Sequence, residues 1–452
     1  MKLRLTGAQH AELRAHLFPG DGLEAVAFCL CGRRGAEALA VQKVVRIPYE
    51  VCDRHADLIT WRTDALIPVL DEAAEQGLAV VKVHSHPGGY DRFSSQDNRA
   101  DKELFASVHE WTDGDLPHAS VVMLPAGRLF GRSVGHDGGF SDLTLITVVG
   151  DDLLYFPSVL GEIPAYAIRH GQAFGEKTTA LMGQLSAAVI GCSGTGGPSV
   201  EMLARLGFGR LVLVDDDKVE EKNLNRIPNT TTADIGRFKV DVAADAVNGM
   251  GLGTDAEPLR HTLLTPEAVR AVAGCDVVFG CMDGAEGRHT LNRLATFYCL
   301  PYFDVGVRLI ADGQGGIEQI CGSVHYLQPG GSSLLSRGAI TRKQLEAEGM
   351  RRTDPEEYKR LRKARYIDGV NEDRPAVIAV NMHYASLAVL EFLARVHPYR
   401  DDENALFDRF GSSLTQYRFV NDEHPEPCPA LARFVGKGDV VPLLGLPSLS
   451  EA

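Results

Sequence analysis

An α/β fold in two successive domains is what this 452-residue sequence predicts, and three observations predict it. Short runs of aliphatic and β-branched residues, such as LAVVKV at 78–83, RLVLV at 210–214 and DVVFG at 276–280, alternate with helical patterns. The length exceeds one typical core, and a hydrophobic content of 44% belongs to a globular rather than a disordered chain. Two stretches about a hundred residues apart each carry polar residues at chemically informative spacing.

The first stretch is His84-Ser-His86-Pro87, followed by a turn-rich loop to Ser94-Ser-Gln-Asp97. LAVVKV reads as a buried strand, so His84 and His86 at its end share a face and two neutral nitrogens can hold one ion. After ten intervening residues Asp97 can close the site, with the fourth position left to water, which is the open arrangement of catalytic rather than structural zinc. SxxD before an apolar helix is also a capping box, so Ser94 or Ser95 can equally serve as the cap of the helix carrying Asp97. His109, His118 and His136 have no such company and read as ordinary surface or core histidines.

The pattern HxH, seven residues, SxxD resembles that of the JAMM (MPN, JAB) metalloproteases, and every motif position is filled. That resemblance implies zinc held by His84, His86 and Asp97, and an upstream glutamate as general base. The matching segment, EAVAFCLCG, makes Glu24 that base, and Ser94 the group that stabilises the oxyanion.

In the second stretch, LSAAVIGCSGTGGPSVEMLARLGFGRLVLVDDD reads as strand, glycine loop, helix, strand. Gly191, Gly194, Gly196 and Gly197 let backbone amides approach an anion, Pro198 suits a first helical turn, and the helix N-terminus favours phosphate. Asp215 ends the next strand, 24 residues after Gly191, where a carboxylate meets a ribose hydroxyl. The spacing GxxGxGG is not the GxGxxG of dinucleotide enzymes. Asn223, Arg226, Lys239 and, after the strand DVVFGCMD, Asp283 suit a triphosphate with magnesium better than a pyrophosphate.

GxxGxGG, VDxD, NxxR, DIGxxK and DxxxxR together resemble the adenylating domain of ubiquitin-activating enzymes and their bacterial relatives ThiF, MoeB and HesA. The resemblance implies a Rossmann-like domain that binds ATP, with Asp215 on the ribose, Asn223, Arg226 and Lys239 on the phosphates and Asp283 on magnesium. Arg169, in IRHGQAFG, resembles the arginine this family lends to the partner subunit's ATP, which implies a homodimer. The helix VIAVNMHYASLAVLEFLARV, apolar almost all round, must be deep core or interface.

The domain boundaries follow: a metalloprotease domain over 1–150, an adenylating domain over 163–410 with a charged helical insertion at about 340–372, and a Pro- and Gly-rich tail over 411–452 laid on the surface. Conjugating members of the family use a cysteine to take the activated carboxylate, and many carry two CxxC pairs for structural zinc. This chain has no CxxC, and GGSSLLSRG stands where a pair is common. Cys281, Cys299 and Cys321 read as small residues of strands or helices, whereas Cys428, flanked by prolines, stands in a context expected to be mobile and exposed, so it is the candidate acyl acceptor beside an incidental role.

A net charge of −14 argues against nucleic acid or anionic membrane as the main partner. The absence of a long apolar run, an N-terminus without a signal-peptide core and nine scattered cysteines lead to an expected cytoplasmic location. The expected function is bifunctional: cleavage after a ubiquitin-like protein's terminal glycine and adenylation of that carboxylate. Such fusions resemble bacterial ubiquitin-like conjugation systems associated with antiphage defence, with a conjugating enzyme as a further partner. The alternatives are the same two activities on a sulfur-carrier protein for cofactor or cysteine synthesis, and a scaffold that binds ubiquitin-like proteins without chemistry.

Overall fold

The computed structural model describes residues 1–363 and 375–450, which fall into two compact units. The first comprises Met1–Leu160, Thr296–Cys299 and Phe434–Gly445, and the second comprises the remainder.

In the first unit the chain runs β1 (Lys2–Thr6), α1 (Gly7–Leu17), β2 (Val26–Arg34), β3 (Ala38–Arg46), β4 (Cys52–Arg54), β5 (Ile59–Trp61), α2 (Ile67–Gln76), β6 (Ala79–Ser85) and α3 (Ser95–Thr112). It continues through β7 (His118–Met123), β8 (Leu129–Val134), β9 (Phe140–Asp142), β10 (Leu145–Val149) and β11 (Leu153–Pro157). Nine strands form one sheet in the order β11-β10-β1-β3-β2-β6-β7-β8-β9, while β4 and β5 pair as a separate ribbon. Strand alternation divides the core. Ala27, Cys29 and Cys31 of β2 and Val81 and Val83 of β6 join Leu13 and Leu17 of α1 on one side of the sheet. Val26, Phe28 and Leu30 with Val80 join Val69 and Leu70 of α2 and Phe105 and Val108 of α3 on the other. On β6 the second face also carries Lys82 and His84, so a strand buried along its whole length delivers polar groups to the α3 side.

The second unit starts with α4 (Ile168–Met182), β12 (Ser186–Ile190), α5 (Gly196–Leu206), β13 (Arg210–Val214), α6 (Lys239–Met250), β14 (Asp255–Leu259), α7 (Pro266–Ala273), β15 (Val277–Gly280) and α8 (Ala285–Phe297). Next come β16 (Tyr302–Ala311), β17 (Ile317–Leu327), α9 (Arg342–Thr353), α10 (Pro355–Lys363), α11 (Ile378–Val396), β18 (Arg409–Ser413) and β19 (Arg418–Asp422). The sheet order is β14-β13-β12-β15-β16-β17-β18-β19, parallel through β16 and antiparallel after it. The chain reverses its direction of travel across the sheet between β12 and β15, and the crevice beyond their carboxyl ends is where such sheets bind ligands.

One expectation changes here and two others are resolved. Residues 411–452 are not a surface tail: Arg418–Asp422 is the edge strand of the second sheet, and Phe434–Gly445 belongs to the first unit. There Gly32 N–H donates to the Gly436 carbonyl at 3.0 Å and Asp439 N–H to the Arg33 carbonyl at 2.6 Å. Of the charged insertion, α9 and α10 are helical as expected, and 364–374 lie outside the described residues. The apolar helix α11 packs Phe392 against Phe208, Phe279 and Phe303, so it is core, with Met382 and Leu390 on its exposed side.

Candidate active sites of the two units

His84 is the penultimate residue of β6 and His86 directly follows the strand, and their Nε2 atoms lie 3.1 Å apart. Asp97, third residue of α3, brings Oδ1 to 3.1 Å from His84 Nε2 and Oδ2 to 3.6 Å from His86 Nε2. A tetrahedral ion with ligand distances of about 2.0–2.1 Å has ligand–ligand edges of about 3.3 Å, so these three atoms are spaced as zinc needs them. The donor set fits in a second respect. His86 Nδ1 sits 2.7 Å from the Tyr90 carbonyl and so takes the ring proton, leaving Nε2 as a lone pair aimed at the ion position.

Ser94 fills the capping one of its two expected roles. It is the N-cap of α3: its Oγ accepts from Asp97 N–H at 3.0 Å and donates to Asp97 Oδ2 at 2.7 Å, which also takes Ser94 N–H at 2.7 Å. Ser95 is the first helical residue, not the cap. In this arrangement the Ser94 hydroxyl is directed at Asp97, on the edge of the ion position.

The electrostatics of the site are uneven. Burial, reinforced by Lys82, lowers His84 to about 4. Burial works against His86 too, but hydrogen bonds to Asp97 and the Tyr90 carbonyl outweigh it and raise the imidazole. Burial would raise Asp97, yet the hydrogen bonds from His84 and His86 hold its carboxyl far below the usual range. Glu24 is buried just ahead of β2. Because Val26 pairs with His84 in an antiparallel ladder, Glu24 falls alongside His86. Burial raises its carboxyl to about 7, partly offset by His86. A carboxylate poised near neutrality beside three converging ligand atoms can serve as a proton acceptor.

Beneath these residues lies a buried ion triad that sequence reading missed. Asp101, one helical turn after Asp97, pairs with Lys82 of β6 and with Arg132 of β8, the latter at 2.6 Å, and Arg132 also donates to Asn98. The Arg132 guanidinium is layered at 3.8 Å from the rings of both Phe93 and Phe140. The signal was present in Lys82, a charge inside an otherwise apolar strand. Of the three histidines expected to be ordinary, His136 is exposed, while His109 and His118 are core residues with ring centroids 4.6 Å apart, and both bond backbone groups.

In the second unit a cavity of about 530 Å³ opens at the reversal point of the sheet. Gly191, Gly194, Asp215, Asn223, Arg226, Lys239 and Asp283 all line it. Gly191 has φ +89, and a Cβ there would lie 2.6 Å from the Cys281 carbonyl oxygen, while one on Gly196 would collide with the Gly191 carbonyl. Backbone thus replaces side chains around the loop, as a phosphate cradle requires. Asp215 ties β13 to the glycine loop: Oδ2 accepts from Cys192 N–H at 2.7 Å and Oδ1 from Asp217 N–H at 2.9 Å. Lys239 is ion-paired with Asp217 at 2.7 Å. Asn223 caps its own turn, accepting from Glu220 N–H at 3.0 Å, and Arg226 donates to the Lys222 carbonyl at 2.6 Å. Asp283 is exposed at the cavity, and a single carboxylate with substrate phosphates suffices for magnesium. Asn381 of α11 also lines the cavity and sits where a Cβ on Gly194 would be. No motif marked it, since it lies 187 positions from Gly194 by residue number.

Arg169 is exposed on α4 and is not among the residues lining this cavity. Cys428 is corrected: it is 2% exposed, receives the Ser333 hydroxyl at 3.0 Å, and its N–H donates to the Gly331 carbonyl at 2.9 Å. The mobile, exposed context expected for Cys428 is therefore not what the structure shows: the thiol is enclosed. Cys281 and Cys299 are buried as expected, their thiols pushed up to about 12 by burial, and Cys321 is half-buried in β17.

Comparison with known proteins agrees with both halves. Residues 7–130 match the model for prokaryotic homologs of the JAB domain. The SAMP-activating enzyme E1 of Haloferax volcanii is 36% identical over 113 residues, 25% of this chain and 42% of that protein. Ubiquitin-like modifier-activating enzyme 5 of Culex quinquefasciatus is 30% identical over 159 residues, 32% of this chain and 38% of that one. The adenylyltransferase and sulfurtransferase UBA4 of Meyerozyma guilliermondii is 30% identical over 142 residues, 31% and 33% respectively. The chain therefore spans less than half the length of these relatives. Among solved structures, E. coli MccB with ATP superposes with a TM-score of 0.45 at 16% identity, covering 60% of this chain and 76% of that one. Residues 168–421, more than half of the sequence, match the ThiF family model, and the chain belongs to the ThiF family.

Proposed function

We propose that this protein acts twice on a ubiquitin-like protein: a zinc-dependent (iso)peptidase unit processes or deconjugates it, and an ATP-dependent unit adenylates its C-terminal glycine. The observation that carries the reading is the pairing, in one chain, of a three-atom ion position beside Glu24 with a glycine-lined cavity edged by Arg226, Lys239 and Asp283. Zinc, held by His84, His86 and Asp97, would supply Lewis acidity and acidify water. Glu24 then accepts a proton from the attacking water and passes it to the leaving amine. In the second unit the carrier's carboxylate attacks the α-phosphorus of ATP, an acyl adenylate forms and pyrophosphate leaves. Arg226 and Lys239 offset charge on the phosphates, and Asp283 would hold magnesium.

The setting we propose is a bacterial ubiquitin-like conjugation system of the antiphage kind, in the cytoplasm, with a conjugating enzyme to receive the activated carrier. Among the described residues, no helix is long and apolar enough to cross a membrane. A homodimer in which Arg169 completes the partner's nucleotide site accords with its exposure. The second reading, activation of a sulfur carrier, is favoured by the sulfurtransferase named among the relatives.

The test is carrier-dependent exchange of labelled pyrophosphate into ATP, expected to vanish in Asp283→Ala while cleavage of a carrier fusion persists. Glu24→Gln should keep zinc and lose cleavage. Tight NAD binding with no ATP binding, or a zinc-free protein after metal reconstitution, would overturn the respective half. Trapping the product with a conjugating enzyme or with a sulfide donor separates the two readings.

A further inference from the structure

Glu24 precedes β2 in a loop, Pro19-Gly-Asp-Gly-Leu-Glu24, whose Gly20 and Gly22 adopt φ +98 and +74. Such a segment is conformationally permissive, yet a proton acceptor must be held in place. What holds it is one side chain of the separate β4–β5 ribbon. Arg54 Nε donates to the Glu24 carbonyl at 2.7 Å and one terminal nitrogen to the Leu23 carbonyl at 3.2 Å. The terminal nitrogens also meet the Asp21 carboxylate at 2.8 and 3.2 Å. That carboxylate in turn accepts from Leu23 N–H at 3.0 Å. The Arg54 side chain is only 9% exposed, and its guanidinium lies 4.2 Å from the centre of the Tyr49 ring. Tyr49 is itself fixed, stacked on His16 at 5.0 Å and donating to the His16 carbonyl at 2.6 Å. The carbonyl of the next residue after Arg54, His55, accepts Glu24 N–H at 2.7 Å.

Four donor contacts of a single guanidinium are thus spent on three residues of this loop, Asp21, Leu23 and Glu24. Only a planar fork can span two carbonyls and a carboxylate at once, while the ring beneath sets its plane. We propose that Arg54 is a positioning residue for peptide hydrolysis, fixing the backbone from which the Glu24 carboxylate reaches the reacting water. This rests on Glu24 being the general base. Arg54 itself touches neither the ion position nor the reacting atoms.

The test uses the full-length, zinc-loaded protein and a fluorogenic peptide amide ending in Gly-Gly. Arg54→Ala is expected to lower kcat by about 10²-fold, the scale of a misplaced catalytic group, with KM and zinc affinity unchanged. Added guanidinium ion should restore part of kcat by refilling the slot over Tyr49, and amide exchange across residues 23–25 should quicken. Arg54→Lys, which keeps charge and stem but lacks the fork, should also lose kcat, and it carries the test if the alanine variant does not fold. A wild-type kcat in either folded variant, a rise in KM alone, or loss of zinc in step with activity would overturn the proposal. Glu24→Gln is the control: if it cleaves at the wild-type rate the base assignment itself falls, whereas an inactive Glu24→Gln beside a fully active Arg54→Ala sinks only the role of Arg54.

Discussion

Ser94 and Asp97 hold each other at the start of α3: the serine takes up Asp97 Oδ2 through its hydroxyl and its N–H, both at 2.7 Å, and leaves Oδ1 turned to His84. One capping box therefore serves both the helix and the ion position, since orienting a ligand carboxylate raises the affinity of its site. Ser94→Ala should cost about 1 kcal/mol of stability as a lost cap and weaken zinc binding by about 10–100-fold, read by competition with a chelator. Unchanged zinc affinity would mean that the hydroxyl only caps.

Lys82, Asp101 and Arg132 carry buried charge directly behind the histidines. Asp101→Asn leaves two buried cations without their counter-charge and should destabilise the protein by about 3–5 kcal/mol in chemical denaturation. Replacing all three by apolar residues of similar volume should recover most of that loss. If the triple variant is as unstable as the single one, the triad contributes more than neutralisation of its own charges.

Gly196 faces the carbonyl of Gly191 with no room for a methyl group. Gly196→Ala should open the loop and lower pyrophosphate exchange at least about tenfold, the equivalent of roughly 1.4 kcal/mol of lost phosphate contact. Zinc content should not change. Full exchange activity would show that the loop does not hold phosphate.

His118 is buried against His109, and burial, with Arg33 and His109 adding repulsion, lowers it from 6.5 to about 3. Its Nδ1 accepts Val80 N–H at 2.9 Å, a bond only the neutral ring can accept. The unfolded chain binds the proton first, so this contribution to stability is present above pH 6.5 and is lost as pH falls toward 3, by up to about 5 kcal/mol. Thermal unfolding between pH 7 and pH 4 should show that loss, and His118→Gln should flatten it. An equally steep profile in the variant would place the acid sensitivity elsewhere.

The sequence by itself determined whatever is local in physical origin. A period of two puts His84 and His86 on one face, a serine three residues before Asp97 announces a cap, and closely spaced glycines before a helix announce a phosphate cradle. In each case the partners lie within a few residues, so backbone geometry alone relates them. Only the tertiary structure decided which distant segments meet. Glu24 faces His86 through the register of β2 on β6, Arg54 reaches back from a ribbon to hold Glu24, and Asn381 closes on Gly194 because α11 packs against α5. Cys428 shows the same limit from the other side: prolines around a cysteine suggest exposure, but burial is set by what the segment packs against, and Ser333 and Gly331 enclose it. Contacts of that kind arise from core packing and strand register, which residue spacing along the chain does not encode.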